Sequence, residues 1–235
     1  MGNEFSLTKI REGDTMPDPV SVFEESKRAS RRILGQTIVR ALSAKGFVAE
    51  YADTKEQALE AVLRIIPEGT SVGIPGSVTI REIGAFEKLG EHGCRISHHW
   101  EPSMNPEQRI QAWKDEAASD YYLTSSNAIT YDGMLVNIDG NGNRVSAMAW
   151  ADNPIVYVIG INKASPDIQT ALKRIRDHAT PPNALRLHID TPCSKVGHCV
   201  DCDASTRVCR AVLILERPTS GRRTHVIIVG EELGY

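Results

Sequence analysis

Four cysteines are the residues of this chain best equipped for chemistry. Cys193, Cys199, Cys202 and Cys209 fall within seventeen residues at the spacing C-x5-C-x2-C-x6-C. The central CxxC gives two thiolates that one ion can bind together. The outer cysteines complete the four ligands that a [4Fe–4S] cluster or a zinc ion takes. Lys195, Arg207 and Arg210 would balance the thiolate charge. The spacing is that of neither a zinc ribbon nor the bacterial ferredoxin run, and no proline follows Cys209. Free cysteines or a redox CxxC are the plainer alternatives. His198 is a further ligand type that four thiolates do not need. Cys94 and the pair His98-His99 read as structural, because adjacent residues on a strand face opposite ways.

A second candidate is the loop Val72-Gly73-Ile74-Pro75-Gly76-Ser77-Val78-Thr79. A strand ends, glycines allow a tight turn, and a helix begins with Ser77 or Thr79 as its cap. Unpaired amides at a helix start attract anions. In an open parallel sheet such a loop lies at the carboxyl edge, where ligands usually bind. Gly73, Gly76, Ser77 and Thr79 are therefore candidate ligand contacts. The spacing matches neither a Walker A loop nor GxGxxG, and a plain strand–helix turn explains it equally well. Glu82 is either a site carboxylate or a first-turn residue that suits the helix dipole.

A third is the polar stretch Thr124-Ser125-Ser126-Asn127-Ala128-Ile129-Thr130, followed by Asp132-Gly133, Asn137 and Asp139-Gly140-Asn141-Gly142-Asn143-Arg144. Small hydroxyls and amides at a strand end suit a polar ligand. Asn137 and Asp139, two apart on a strand, share a face and are expected to look into one cavity with Ser126. Arg144 can clamp a carboxylate or phosphate with its planar fork. Asp-Gly and Asn-Gly are also the commonest hairpin corners, so Asp139 to Gly142 is as well read as a turn.

These residues need a scaffold, and the hydrophobic pattern supplies one. Apolar residues Val22, Phe23, Ile33, Val39 and Leu42 sit at helical spacing from residue 21, with Gly46 as a stop. Strands are expected at 47–51, 71–74, 94–98, 121–124 and 155–160. Helices are expected at 54–66, capped by Thr54, and at 80–88, 106–118 and 166–178. Two further short runs, 135–138 and 145–148, flank the Asp-Gly-Asn-Gly turn. This alternation predicts an α/β fold with a mainly parallel sheet flanked by helices. The runs 211–216 and 225–229, joined by Pro218-Thr219-Ser220-Gly221, read as a C-terminal hairpin. One domain over residues 21–235 is expected, with 193–209 as a metal-binding excursion and 1–20 as a flexible leader.

Bulk composition narrows the partners. The chain has 235 residues, 41% hydrophobic and 24% charged, with net charge -3. There is no basic excess to bind nucleic acid, and no apolar run approaches the length of a membrane span. The first residues lack the basic and apolar regions of a signal peptide. Met1-Gly2 with Ser6 fits a loose myristoylation pattern, short enough to arise by chance. A cytoplasmic home is the simplest expectation, and clustered thiols there point to metal sooner than to disulfides.

Several runs together resemble the lactate-utilisation (LUD) domain family: Ser125 to Thr130 with Asp132-Gly133, Leu135 to Gly140 with Gly142-Asn143-Arg144, Gly160-Ile161-Asn162-Lys163, and Val229-Gly230-Glu231-Glu232-Leu233-Gly234. The resemblance covers residues 20 to 235. It implies a ribose-phosphate isomerase/CoA-transferase-like fold whose glycine loops surround a site, and it adds Lys163 to the candidate ligand residues. It also implies a redox role beside iron–sulfur proteins that oxidise lactate to pyruvate. The chain lacks the ferredoxin-like modules of larger members, and no catalytic residue carries over. A small anionic metabolite, an iron–sulfur partner protein and self-association are the implied partners. Two other readings stay open: a non-redox enzyme acting on a sugar phosphate or acyl-CoA with structural zinc, and a small-molecule-binding regulator.

Overall fold

The computed structural model describes residues 19–235. The expected leader therefore lies outside the described residues except for its last two positions, as does the myristoylation pattern. The first helix, α1, runs over Pro19–Ala44, two residues earlier than expected. Ile38 and Leu42 on it are fully buried, whereas Val22, Phe23 and Ile33 stay exposed. The alternation then follows: β1 (Val48–Ala52), α2 (Lys55–Ile65), β2 (Ser71–Gly73), α3 (Val78–Glu82), α4 (Ala85–Glu91), β3 (Arg95–Ser97), α5 (Pro106–Ala117), β4 (Tyr121–Thr124), β5 (Ala128–Thr130), β6 (Leu135–Asp139), α6 (Asn143–Ala149), β7 (Ile155–Gly160), β8 (Ala164–Ser165), α7 (Ile168–Arg174), α8 (Thr180–Arg186), α9 (Pro192–Val196), β9 (Ala211–Leu215) and β10 (Thr224–Val229). A 3-10 turn over Ile161–Lys163 follows β7, and a π turn over Ile175–Ala179 joins α7 to α8.

Six strands form a parallel sheet in the order β1-β10-β7-β4-β2-β3. The central strands β7 and β10 are apolar on both faces because both faces are covered. Val156, Val158, Ile227 and Val229 pack toward α2, α3 and α4, in a core with Val62, Ile80 and Leu89. Ile155, Tyr157, Ile159, Val226 and Ile228 pack toward α1, in a core with Ile38 and Leu42. The alternation of side chains along a strand is what divides one apolar run between two cores.

A second sheet, in the order β8-β5-β6-β9, leans on the α1 side. Its strands β5, β6 and β9 pair antiparallel, and β8 joins β5 parallel. A third core of Ala128, Val136, Ile138, Ala171, Ile175 and Ala179 seals it against α7 and the π turn.

Three expectations need correction. The C-terminal hairpin does not form: β9 pairs with β6 in the small sheet, while β10 enters the large sheet between β1 and β7. Residues 145–148 are helical, not a strand, because Asp139 accepts hydrogen bonds from Arg144 N (2.9 Å) and Val145 N (3.3 Å) and so starts α6. The helix expected at 80–88 is two short ones, broken at Gly84, whose φ is 72°.

Candidate functional site

In a parallel sheet every strand delivers its following loop to the same edge. The loops after β2, β4, β7 and β10 bring Thr79, Ser125, Lys163 and Gly234 together there. Lys163 is 4% exposed. Its Nζ donates to Thr79 Oγ1 at 2.8 Å and to Ser125 Oγ at 3.0 Å. No ion pair reaches it among the described residues. Burial above all, with the charges of Arg174 and Arg144 and against that of Glu82, lowers its pKa from the ordinary 10.5 to about 7. Glu82 is exposed and instead receives the Gly234 amide at 2.6 Å. The amine thus rests in a cradle of two hydroxyls, able to hold or release a proton near neutrality.

The main chain of residues 230–234 closes over this cradle. Asn162 Oδ1 accepts from Leu233 N at 3.1 Å, and Asn162 Nδ2 donates to Leu233 O and Gly234 O. A Cβ on Gly234 would stand 2.5 Å from Thr79 Oγ1 and 3.2 Å from Lys163 Nζ. Only glycine lets the backbone pass so near the amine.

The other loop residues do structural work. A Cβ on Gly73 would lie 2.0 Å from the Glu116 carbonyl oxygen, so this glycine admits α5 to the sheet. Gly76, at φ 39°, makes room for Trp100. Ser77 caps α3 by accepting from Ile80 N at 3.4 Å. With only five residues in α3, its dipole is a weak attractant for an anion.

The polar stretch after β4 divides likewise. Ser125 reaches Lys163. Ser126 Oγ donates to Ala128 O and Val136 O, closing β5 onto β6. Asn127 N donates to Asn137 Oδ1, and Asn127 Oδ1 accepts from Ile138 N, both at 3.1 Å. Asn137 is fully buried, and its Nδ2 has no partner among the described residues. Asp139 is spent on α6, and Arg144 Nη2 donates to Ile138 O at 2.8 Å. Arg174, which no motif singled out, fastens the edge: it donates to Asn162 O and Asn127 O, both at 2.9 Å. It sits at the start of the π turn and lines, with Lys173, Asp177 and His178, a cavity of about 340 Å³.

The cysteines occupy an irregular segment beyond α8. All four are free; Cys193 is buried in α9 and the others are half-buried. The Asp201 amide points at Cys199 Sγ, 3.4 Å away, with Asp201 at φ 44°. Arg207 donates to Cys202 O at 2.7 Å and to Cys209 O at 3.0 Å. Among the described residues no three His, Cys, Asp or Glu side chains stand together as a metal-holding group. Cys94 is buried on its own, beside Thr70. His98 packs edge-on to Phe86, and His99 pairs with buried Glu116 at 2.7 Å.

Sequence reasoning also passed over a cluster at the rim. Arg81 and Arg186 each place their guanidinium 4.5 Å from the centre of the Trp100 ring, and Arg81 stacks on Phe86 as well. No motif or spacing relates these residues; the fold alone assembles them. Among the described residues no helix is long and apolar enough to cross a membrane.

A solved structure of a DUF162 family protein from Deinococcus radiodurans is similar at TM-score 0.49 and 10% identity, over 85% of this chain and 98% of that chain. No curated protein matches the chain. The LUD domain model, by contrast, matches residues 35–229, from within α1 to the end of β10. The chain therefore belongs to the LUD domain family, which is associated with lactate utilisation.

Proposed function

We propose that this protein binds a small 2-hydroxy or 2-oxo acid anion at the carboxyl edge of its large sheet and serves the oxidation of lactate or a related acid. The observation that carries this reading is Lys163, a buried amine on two hydroxyls with no carboxylate paired to it. An anion entering the cradle would supply the missing counter-charge. Thr79 and Ser125 orient Nζ, and the Leu233–Gly234 main chain shields it, so this segment must move for a ligand to enter. The expected set Gly73, Gly76, Ser77, Thr79, Glu82, Ser125, Ser126, Asn127, Asn137, Asp139, Arg144 and Lys163 thus reduces to Thr79, Ser125 and Lys163 as contacts. The rest hold the surrounding loops and strands in place. Titration of lactate and of pyruvate into wild type and Lys163→Met tests this. Binding should weaken at least tenfold in the variant, given about 1.5–3 kcal/mol for a charge-assisted bond. Equal affinity would remove Lys163 from the site.

The four cysteines carry the second part of the reading: a [4Fe–4S] cluster, or alternatively zinc. A cluster would accept electrons from an acid oxidised nearby or from a partner protein, whereas zinc would supply folding free energy. Two contacts favour a metal. An amide aimed at Cys199 Sγ is the kind of donor that a metal-bound sulfur accepts. Arg207 draws Cys202 and Cys209 around one guanidinium. The donor types fit, but their present placement does not, so no chemical step is routed through the metal. Anaerobic purification with iron and zinc analysis tests it. Cys199→Ser and Cys202→Ser should each lose the metal, and Cys94→Ser should keep it. Full metal content in both of the first two variants would refute the site.

A further inference from the structure

Arg81 and Arg186 come from distant parts of the chain. Arg81 lies on α3, two residues after Thr79. Steps of 100° per residue turn it to the opposite side of that helix from the lysine cradle. Arg186 ends α8, which follows directly on the π turn. Their side chains meet at Trp100, in the segment after β3.

Two guanidinium groups stack on one indole ring, and the groups that offset their charge are Glu87 beside Arg81 and Tyr235 beside Arg186. Arg81 makes no hydrogen bond or ion pair among the described residues, and only Glu87 leans against the fall in its pKa caused by burial. Arg186 donates to Asn183 Oδ1 at 2.7 Å, but its Nε is buried with no partner. Burial lowers its pKa too; Tyr235, through its charge and a hydrogen bond to Arg186, opposes the shift, while Arg144 and Arg81 add to it. All three rim residues are half-buried, so they are reachable from solvent.

We propose that Arg81, Trp100 and Arg186 form a subsite for a phosphoryl dianion, separate from the lysine cradle and not resting on the reading of Lys163. The charge sets the ligand class. A single carboxylate neutralises one guanidinium, whereas a phosphate monoester or diphosphate carries the second charge and a third oxygen, and takes both planar forks at once. Trp100 serves as the plate that holds the forks in position.

The test is calorimetric titration of inorganic phosphate and of pyrophosphate into the full chain at fixed ionic strength, with melting temperature measured for every variant. Wild type should bind pyrophosphate. Arg81→Met and Arg186→Met should each weaken it at least tenfold. Arg81→Lys and Arg186→Lys, which keep the charge but lose the fork, should weaken it several-fold while melting as wild type does. The proposal is overturned if wild type binds neither probe, or if both lysine variants bind pyrophosphate as tightly as wild type. Displacement of pyrophosphate by equimolar lactate would also overturn it, because the rim would then be a carboxylate site.

Discussion

A lysine amine with no carboxylate beside it is costly to keep protonated in a protein interior, and Lys163 should show this in its pH behaviour. Its pKa falls from 10.5 to about 7 on folding. Between those values the unfolded chain holds a proton that the folded chain has released, so stability rises with pH across the window. Below 7 both forms are protonated and the contribution is flat. The slope is at most about 1.4 kcal/mol per pH unit. Urea unfolding should therefore show wild type gaining about 1–2 kcal/mol on Lys163→Met between pH 7 and pH 9. A difference independent of pH would show that the amine is charged throughout. Much of this site lay beyond sequence reasoning. Thr79 stood out as a candidate helix cap and Ser125 as a small hydroxyl at a strand end, and Lys163 came only through family resemblance. Arg81, Trp100, Arg174 and Arg186 carry no mutual spacing, because their meeting is a product of tertiary structure. Asp139 and Asn137 were legible as polar residues sharing a strand face, yet their partners turned out to be backbone amides.

Elements obey tighter limits than residues, and Gly73 marks one of them. It lies on β2 where α5 crosses, and any side chain there runs into the Glu116 carbonyl at 2.0 Å. That obstacle is backbone, so the helix must shift as a whole. Gly73→Ala should cost about 3 kcal/mol and lower the melting temperature by roughly 5–10 °C. It should also disturb the His99–Glu116 pair that α5 carries. An unchanged melting temperature would mean that α5 is not seated as described. At this scale the strongly periodic segments were readable: α2 with its Thr54 cap, and the buried runs of β7. The boundaries that failed did so for local reasons. Gly84 divides one helical pattern into two helices. Asp139 turns an apparent hairpin partner into α6. Neighbouring apolar runs, β9 and β10, suggested a hairpin because sequential strands usually pair. The apolar character of β10 on both faces was the signal for a central strand instead.

Across the whole molecule, the cysteine segment depends little on the two sheets. Residues 197–210 contain no regular element and are pinned by Arg207, Arg210 and the Cys199–Asp177 contact, meeting the small sheet only at their end, where Arg210 N donates to Asp139 O and Cys209 packs on the third core. Removing a thiol there should loosen only that segment. Cys202→Ser should raise protease cleavage within 193–209 while the main unfolding transition stays within about 1 kcal/mol of wild type. Loss of the whole transition would mean that the segment nucleates the body. The parallel α/β plan was legible from the alternation of strands and helices, but the partition into two sheets was not, since pairing between distant strands leaves no trace in a single sequence. One outcome of that pairing concerns the nascent chain. β10 lies between β1 and β7, so the slot it fills stays open until nearly the whole domain has left the ribosome. At about 5–20 residues per second, β1 waits on the order of 10–30 s for its partner. From its own synthesis until β10 follows, the apolar edge of β7 is bare, which makes this protein a natural client for the chaperones that guard unfinished sheets.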